Sequence, residues 1–246
     1  MSRQVVLSAR MQAVADLVTT GNRVCDVGCD HGYISIYLVQ NRKAPCVLAM
    51  DVNKGPLQRA SEHIKAAGLE KYITLRLSDG LTAFRKGEAD TLVCAGMGGR
   101  LMQRILEREP DKTFSFQELV LQPQSEIGEF RRFLEKMGYS IEDEDMILEE
   151  GKFYPVIKAV RGKAARPMTQ VQVRFGPILL EKKHAVLMKF LEKEWNSCLA
   201  ISSELTHAEG GARMEERRRE LEQDMGYLRQ AAGYMGMEEL HGYTND

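Results

Sequence analysis

The 246-residue sequence predicts an α/β protein: a mainly parallel sheet that ends in an antiparallel hairpin, followed by an α-helical hairpin that resembles a short coiled coil. Three observations predict it. Short β-branched runs alternate with amphipathic segments through the first half of the chain, which is typical of parallel strands with crossover helices. Two strand-like runs then follow with no helix between them. Finally, the apolar spacing becomes helical in the last third of the chain.

The first segment, residues 7–18, predicts a helix that leads into the fold. Leu7, Met11, Val14 and Val18 fall on one face at helical spacing. The Thr-Thr-Gly-Asn run that follows ends the helix.

Five parallel strands are predicted from the β-branched runs that come next. In chain order these runs read RVCDVG, PCVLAMD, YITLRL, DTLVCAG and ELVLQP. Predicted helices separate them near residues 33–42, 55–68, 98–109 and 125–137. This alternation indicates one sheet with its strand ends aligned at one edge.

The stretch YSIEDEDMILEEGKFYPVIKAVRG breaks the alternation. Its two strand-like runs meet at Glu150 and Gly151, which predicts an antiparallel hairpin closing the sheet. Five parallel strands followed by an antiparallel pair are the strand pattern of Rossmann-like methyltransferases. A dehydrogenase usually continues β-α-β, so the pattern favours a methyltransferase.

A linker is predicted at residues 162–177, which divides the chain into domains 1–162 and 163–246. Two apolar stripes at helical spacing follow, joined by the Glu-Gly-Gly turn at 209–211. They consist of Leu180, Leu187, Leu191, Cys198, Ile201 and Leu205, and of Met214, Leu221, Met225, Leu228, Ala232 and Met235. The stripes predict an antiparallel helical hairpin. Whether it is only a core-packed pair, binds RNA or joins a second protomer stays open, and so does the choice between monomer and homodimer.

Composition excludes several functional classes. The net charge of −1 gives no overall attraction for nucleic acid, so RNA binding would need a local basic patch. No apolar run approaches the roughly 18 residues that span a bilayer, and no signal-peptide core is visible, so a cytoplasmic protein without membrane contact is expected. The five cysteines form no C-x-x-C pair and have no histidine at metal spacing, so neither a metal site nor a disulfide framework is expected.

The stretch DVGCDHGY, residues 26–33, resembles a glycine-rich nucleotide-binding turn. Gly28 and Gly32 follow a strand and precede a helix, so backbone N–H groups can face a ligand. Asp30 occupies the place of the middle glycine and would repel the pyrophosphate of NAD. S-adenosylmethionine lacks phosphate and carries a sulfonium and an ammonium group, so it suits Asp26 and Asp30. The charges therefore favour this methyl donor.

Further cofactor-binding candidates lie at the ends of the next strands. Asp51, with Val52 beside it, follows Gly28 at close to the spacing of roughly 20 residues found for a ribose-binding acid. Asp79 follows the third strand and is predicted to lie near the adenine, with Gly80 allowing close approach. Each acid alone is as often a cap or turn residue. Their place at successive strand ends favours a ligand site, because ligands of open α/β sheets bind there.

The segment AGMGG follows the fourth strand. This segment lacks the N/D-P-P-Y motif with which many amino-methyltransferases hold an exocyclic amine. Its glycines instead let the backbone approach a ring-nitrogen target. Gly96 and Met97 are assigned to the cofactor, and Gly98 and Gly99 to the substrate base. Met97 is alternatively a gap-filling side chain.

Several motifs together resemble the bacterial tRNA adenine-22 N1-methyltransferase family. They are LSARMQAVADLV, DVGCDHGY, DVNKGPLQRA, SDGL, AGMGG, LQPQ and RFGPILL, and DHGY with AGMGG is the most specific combination. The resemblance implies a class I methyltransferase domain followed by a coiled-coil-like domain. It also implies S-adenosylmethionine as cofactor and N1 of an adenine in the tRNA core as the target. The role of Gln124 stays open.

The expected chemistry needs little base catalysis, because adenine N1 already carries a lone pair. Positive charge moves onto the base during transfer, and the carboxylate of Asp30 is predicted to stabilise it. His31 is predicted to orient a polar group, and Tyr33 to stack on or hydrogen-bond to the extruded base. His31 is alternatively a helix-cap residue, and Tyr33 a packing aromatic.

Arginines are the candidates for contacts with tRNA phosphates. Arg10 is the strongest candidate, Arg100 is also assigned to RNA binding, and Arg3, Arg104 and the run 217–219 could extend the same positive track. The run is alternatively a solvated face with ion pairs within the helix. Two other classes of function stay open: methylation of another RNA, a protein or a small molecule, and a non-catalytic module that binds RNA or a partner.

Overall fold

The computed structural model describes residues 4–162, 166–206, 211–237 and 240. The chain divides into two compact units, Met1–Arg166 and Pro167–Asp246. The first contains the sheet and the second is helical. The functional division into a cofactor-binding domain and a helical domain, with its boundary after residue 162, stays a prediction.

Within the described residues, the first unit is built on a seven-stranded sheet with the order β3-β2-β1-β4-β5-β7-β6. Strands β1 to β5 are parallel, whereas β7 runs antiparallel to both β5 and β6. The strands are β1 (Val24–Val27), β2 (Val47–Asp51), β3 (Ile73–Leu77), β4 (Thr91–Met97), β5 (Glu118–Pro123), β6 (Tyr139–Glu149) and β7 (Lys152–Arg161). The predicted fold class is confirmed, and so is each predicted strand.

The helices of this unit connect the strands as predicted. They are α1 (Ala9–Leu17), α2 (Tyr33–Gln40), α3 (Lys54–Ala67), α4 (Gly99–Arg108), α5 (Pro110–Thr113) and α6 (Ile127–Lys136). Ser8 caps α1 by accepting a hydrogen bond from the Met11 amide. The helix predicted near residues 98–109 corresponds to α4, and the short α5 that follows it is additional to the prediction.

Two apolar clusters cover the two faces of the sheet. Alternate residues of β1 point to opposite faces, so Val24 joins one cluster while Cys25 joins the other. Helices α1, α2 and α3 pack on the Val24 face, and α4 and α6 pack on the Cys25 face. Because both faces are covered, the central strands are buried along their length, as in other parallel sheets.

The hairpin of β6 and β7 turns at Glu150 and Gly151, as predicted. Both residues have positive φ, 51° and 73°. Two consecutive left-handed residues are the geometry of a tight two-residue hairpin turn. The pairing shifts by one residue between Ile141 and Asp143, which marks a bulge in β6.

The second unit contains α7 (Gln170–Phe175), α8 (Pro177–Glu181), α9 (Ala185–Thr206) and α10 (Ala212–Met235). Helices α9 and α10 are antiparallel, because Arg229 lies over the Trp195 ring while Arg218 donates to the Leu205 carbonyl. The predicted helical hairpin is therefore present. Glu209 and Gly210 of the predicted turn lie outside the described residues.

Two predictions for this unit are wrong in detail. The supposed linker at 162–177 contains α7, which begins at a capping box between Thr169 and Gln172. Leu180 belongs to α8 and not to the long helix.

No helix among the described residues has the length and apolarity that crossing a membrane requires.

A buried ion pair between α6 and β6 provides a test of the packing. The Arg131 Nε donates to Glu144 Oε1 at 2.8 Å, and each side chain is at most 1% exposed. Replacing Arg131 with Met removes the ion-pair partner of the buried Glu144 carboxylate, so we expect the free energy of unfolding to fall by about 3–5 kcal/mol. Urea denaturation measures this loss.

The matched control is the double variant Arg131→Met with Glu144→Leu, which removes both charges. It should recover most of the lost stability, because an apolar pair of similar volume often replaces a buried ion pair at little cost. Equal stability of the single variant and the wild type would contradict the assigned role of the pair.

Candidate functional site

A cavity of about 450 Å³ opens at the carboxyl ends of β1, β2 and β4. It lies where the order of the strands reverses, with β1 between β2 and β4. Such a switch point is the usual ligand site of an open α/β sheet. The predicted site residues that line it are Arg10, Asp26, Gly28, Asp30, Asp51, Val52, Asp79, Gly80, Gly96 and Met97.

The turn between β1 and α2 has an unusual backbone. Gly28, Asp30 and Gly32 have positive φ, of 77°, 43° and 72°. A Cβ on Gly28 would overlap the Met97 Cε, so a side chain there would have to displace the Met97 methyl group as well as adopt a left-handed backbone. The glycines thus serve the turn geometry and close approach that the sequence predicted.

Asp26 lies buried at the base of the cavity. The Ser35 hydroxyl donates a 2.6 Å hydrogen bond to its Oδ2. The pKa of Asp26 is raised to about 6, mainly by burial; the Ser35 hydrogen bond opposes this shift, and the nearby Asp51 adds a smaller increase. The charged form of Asp26 is therefore costly, and a cation in the cavity would stabilise it.

Asp51 ends β2 beside Asp26 and is also buried. Its Oδ1 accepts the Asn53 amide at 2.9 Å, which fixes the carboxylate at the strand end. Val52 next to it is 57% exposed and lines the cavity. An oriented acid with an exposed apolar neighbour suits the hydroxyl groups and the carbon face of a sugar.

Asp79 and Gly80 form another side of the cavity. The Asp79 carboxylate pairs with Arg108 of α4. The Ser78 hydroxyl donates to the Gly80 carbonyl at 2.7 Å and holds the loop after β3. Asp79 lines the cavity as predicted. Because Arg108 compensates its negative charge, Asp79 can offer a ligand hydrogen-bond acceptors but little net charge.

The AGMGG segment divides between the cavity and the packing of α4. Gly96 and Met97 belong to β4 and line the cavity, whereas Gly98 and Gly99 do not line it. A Cβ on Gly99 would lie 2.5 Å from the Ser125 carbonyl oxygen. The prediction that Gly98 and Gly99 approach a base is thus not supported by their position, because Gly99 packs against the loop after β5.

Arg10 lies inside the cavity and not on an open surface. Its Nη1 donates to Gln122 Oε1 at 3.1 Å, and its Nε lies 3.8 Å from Glu149 Oε2. Its guanidinium also stacks over the Tyr154 ring at 5.2 Å. The fully buried Gln122 accepts a second bond, from the Gly96 amide, and so ties Arg10 to β4.

Asp30 lines the cavity, but its two predicted catalytic neighbours do not. Its Oδ1 lies 2.7 Å from Arg59 Nη2, and its Oδ2 lies 3.5 Å from His31 Nε2. His31 precedes α2, whose N-cap is Gly32, so it lies in the turn and is neither in the helix nor its N-cap residue. His31 and Tyr33 stack on each other with ring centroids 5.4 Å apart. The His31 Nδ1 is buried and has no hydrogen-bond partner among the described residues.

The remaining arginine candidates lie away from this cavity. Arg100 is exposed, and its Nε lies 3.2 Å from Glu126 Oε1. Arg104 lines a second cavity of about 330 Å³ next to α4. Arg217 pairs with Glu220 in α10 at 3.0 Å, which agrees with the solvated-face interpretation of the 217–219 run. Arg3 lies outside the described residues.

No group of three or more metal-ligating side chains occurs in the part of the chain that the structure describes. Its five cysteines are free thiols. Burial raises the pKa of the Cys94 thiol to about 12, and Asp26 contributes to this shift. Cys94 is therefore a protonated core residue and not a nucleophile.

The lining determines what the cavity can hold. Two buried acids, Asp26 and Asp51, lie at its base, and Gly28 and Gly96 let a ligand reach the backbone closely. Arg10 adds a positive charge. The arrangement suits a ligand with a cationic centre, hydroxyl groups and one carboxylate, and it does not suit a pyrophosphate.

Comparison with known proteins identifies a close set of relatives. A sequence profile described as TrmK, tRNA (adenine(22)-N(1))-methyltransferase, matches residues 24–229. The chain is 32% identical over 231 residues to the Bacillus subtilis (strain 168) protein named tRNA (adenine(22)-N(1))-methyltransferase. The match covers 92% of this chain and 97% of that protein.

Solved structures agree with this match. The B. subtilis m1A22 tRNA methyltransferase TrmK superposes with a TM-score of 0.82 at 33% identity, covering 93% of this chain and 99% of that chain. Streptococcus pneumoniae Sp1610 in complex with S-adenosyl-L-methionine gives a TM-score of 0.80 at 32% identity, covering 92% and 99%. Both similarities span the sheet and the helical unit.

The contact between Gly99 and Ser125 predicts a strict requirement for glycine. Gly99→Ala forces the backbone of α4 away from the Ser125 carbonyl, so we expect the free energy of unfolding to fall by about 1–3 kcal/mol. Gly226→Ala is the control, because Gly226 lies within α10 with open space at its Cβ position. Thermal melts should show a lower Tm for the first variant and an unchanged or higher Tm for the second. An unchanged Tm for Gly99→Ala would show that the α4 contact is not tight.

Proposed function

The chain belongs to the tRNA (adenine(22)-N(1))-methyltransferase family, and from this premise we propose how the residues of its cavity carry out the reaction. The protein is an enzyme that uses S-adenosylmethionine to methylate N1 of adenine 22 in tRNA. The observation that carries the assignment of roles is the acid-based cavity at the switch point of the sheet.

S-adenosylmethionine fits the residues of the cavity. When bound, it supplies an electrophilic methyl group on a sulfonium. Gly28 and Gly96 line the cavity, so the cofactor can contact their backbone, and Asp26 and Asp51 offer acceptors to its cationic and hydroxyl groups. Asp51, with its orientation fixed by Asn53, receives the ribose hydroxyls in this proposal, and Val52 contacts the sugar or adenine. Asp79 and Gly80 border the adenine.

Arg10 takes a different role from the one that the sequence predicts. It is held within the cavity by Gln122, Glu149 and Tyr154 rather than projecting toward an RNA backbone. The methionine part of the cofactor carries an α-carboxylate, and Arg10 is the one positively charged residue among the described residues that line the cavity. We therefore assign Arg10 to this carboxylate. Arg100, which is largely exposed, remains the candidate for a tRNA phosphate.

Asp30 stabilises the charge that develops on the adenine. Its side chain is 57% exposed and lines the cavity, so a base entering from solvent can reach it. A fixed carboxylate beside a ring that becomes cationic lowers the barrier, because the electrostatic interaction is stronger in the transition state than in the ground state. His31 and Tyr33 do not line the cavity, so the catalytic roles predicted for them stay predictions. A cytoplasmic location follows from the tRNA substrate in this proposal.

Methylation of a tRNA transcript tests the function and the role of Asp30. The wild type should form 1-methyladenosine at position 22, detected by nuclease digestion and mass spectrometry. Asp30→Ala should lower kcat by about 10²–10³-fold, the usual loss when one charge-stabilising group is removed. Its dissociation constant for the cofactor should stay within about twofold of the wild type, because Asp30 acts on the base and not on the cofactor.

A transcript with guanosine at position 22 is the substrate control and should stay unmethylated. Absence of 1-methyladenosine from every transcript, despite measurable cofactor binding, would contradict the proposed function. Full activity of Asp30→Ala would leave the function intact and remove Asp30 from the mechanism.

The pKa of Asp26 predicts a pH dependence of cofactor binding. A pKa of about 6 means that the carboxyl group is neutral well below pH 6 and charged above it. Because the cationic ligand is attracted only to the charged form, we expect the affinity measured by calorimetry to fall by about tenfold from pH 7 to pH 5. Asp26→Asn should bind more weakly at pH 7 and lose most of this pH dependence. A wild-type affinity that is constant from pH 5 to 7 would contradict the role of Asp26.

A further inference from the structure

Helix α3 contacts the turn between β1 and α2, which contains Asp30 and His31, through two side chains that lie four residues apart. Arg59 Nη2 lies 2.7 Å from Asp30 Oδ1. His63 Nδ1 lies 3.0 Å from the His31 carbonyl oxygen, so this nitrogen must carry the hydrogen and donate it. Residues four apart share one face of a helix, so Arg59 and His63 show that this face of α3 packs against the loop between β1 and α2.

The same face of α3 also packs against the rings and the backbone of the turn. The His63 ring stacks on Tyr33 at 4.9 Å and on His31 at 5.6 Å, with interplanar angles of 14° and 21°. A Cβ on Gly32 would lie 3.3 Å from the Ala60 Cβ, so the helix and the turn meet closely there. Asp30, His31 and Tyr33 thus each contact a side chain of α3.

These polar contacts contribute little to holding α3 on the sheet. Apolar burial of Ala60, Ile64 and Ala67 anchors the helix. The side chains of Arg59 and Asp30 are 46% and 57% exposed, and exposed ion pairs stabilise a fold only weakly. The effect of the Arg59 contact is therefore to orient the carboxylate rather than to stabilise the fold.

We propose that Arg59 and His63 are positioning residues for methyl transfer, with Arg59 orienting the Asp30 carboxylate and His63 holding the backbone and ring of His31. The proposal rests on the proposed role of Asp30. The turn needs such support, because Asp30 lies in the left-handed region with φ of 43°, outside any regular element. A small displacement of a catalytic group is costly to the rate even when the group itself is intact.

Steady-state kinetics with the full-length protein test the proposal. We expect Arg59→Ala and His63→Ala to lower kcat for tRNA methylation by about 10- to 100-fold, with the KM for tRNA within about threefold of the wild type. The dissociation constant for S-adenosylmethionine and the Tm should stay near the wild-type values. Arg59→Lys, which keeps the charge, and His63→Asn, which keeps a donor near the Nδ1 position, should recover part of kcat.

Lys65→Ala is the matched control. Lys65 is an exposed cation on the same helix, and the structure gives it no contact with the turn. Its kinetics should equal those of the wild type. A kcat loss in Lys65→Ala as large as that in Arg59→Ala would overturn the proposal, because general positive charge on α3 would then explain the effect.

A double-mutant cycle with Asp30→Ala separates positioning from direct action. If Arg59 acts through Asp30, Arg59→Ala should add less than about twofold to the kcat loss in the Asp30→Ala background. If the kcat losses of the two single variants multiply in the double variant, or if Arg59→Ala changes only the KM for tRNA, the proposal is overturned. Such a result would indicate that Arg59 contacts a phosphate instead. If Arg59→Ala and His63→Ala keep full activity while the wild type forms 1-methyladenosine, the positioning proposal is overturned and the proposed function stands. A wild type that forms no 1-methyladenosine would overturn the proposed function and this proposal together.

Discussion

The reversal of strand order at β1 is the constraint on which the rest of the structure depends. The chain builds the sheet outward from β1 to β2 and β3, then returns to add β4 on the other side. Helices α2 and α3 consequently cover one face, while α4 and α6 cover the other. The connections leave the strand ends in opposite directions, and a cavity remains between them. Every residue assigned to the cofactor reaches this cavity from a strand end, from the loop after it or, for Arg10, from α1.

Electrostatics then select the ligand. Asp26 and Asp51 lie close together because parallel pairing aligns β1 with β2, and burial makes the negative charge of Asp26 costly. A phosphate would increase this cost, whereas a sulfonium or an ammonium group offsets it. Folding thus places the two acids in an unfavourable arrangement that a cationic cofactor relieves. The pKa of Asp26 is raised to about 6 mainly by burial, and Asp51 makes a smaller contribution to this rise.

The sequence predicted the parts of the site that depend on short spacing. The glycine turn, Asp51 and Asp79 each follow a recognisable strand, so their convergence follows from the parallel sheet alone. Gln122, Glu149, Arg59 and His63 escaped prediction because their partners lie 29 to 139 residues away along the chain. The place of Arg10 in the cavity escaped prediction for the same reason, since Gln122, Glu149 and Tyr154 hold it there. Helix α7 is different, because its Thr169 to Gln172 capping box is visible in the sequence and was overlooked among linker-like residues.

The left-handed backbone of Asp30 has a consequence for how such a site can arise. Glycine adopts this conformation most easily, and aspartate and asparagine are the residues that tolerate it next best. A glycine codon ending in a pyrimidine becomes an aspartate codon through a single base change. A carboxylate can therefore enter the turn of an ancestral glycine-rich cofactor site in one mutational step and without refolding the loop. Glutamate and arginine also arise from glycine codons by one base change, but they tolerate a left-handed backbone less well, so aspartate is the charged side chain that suits this position best.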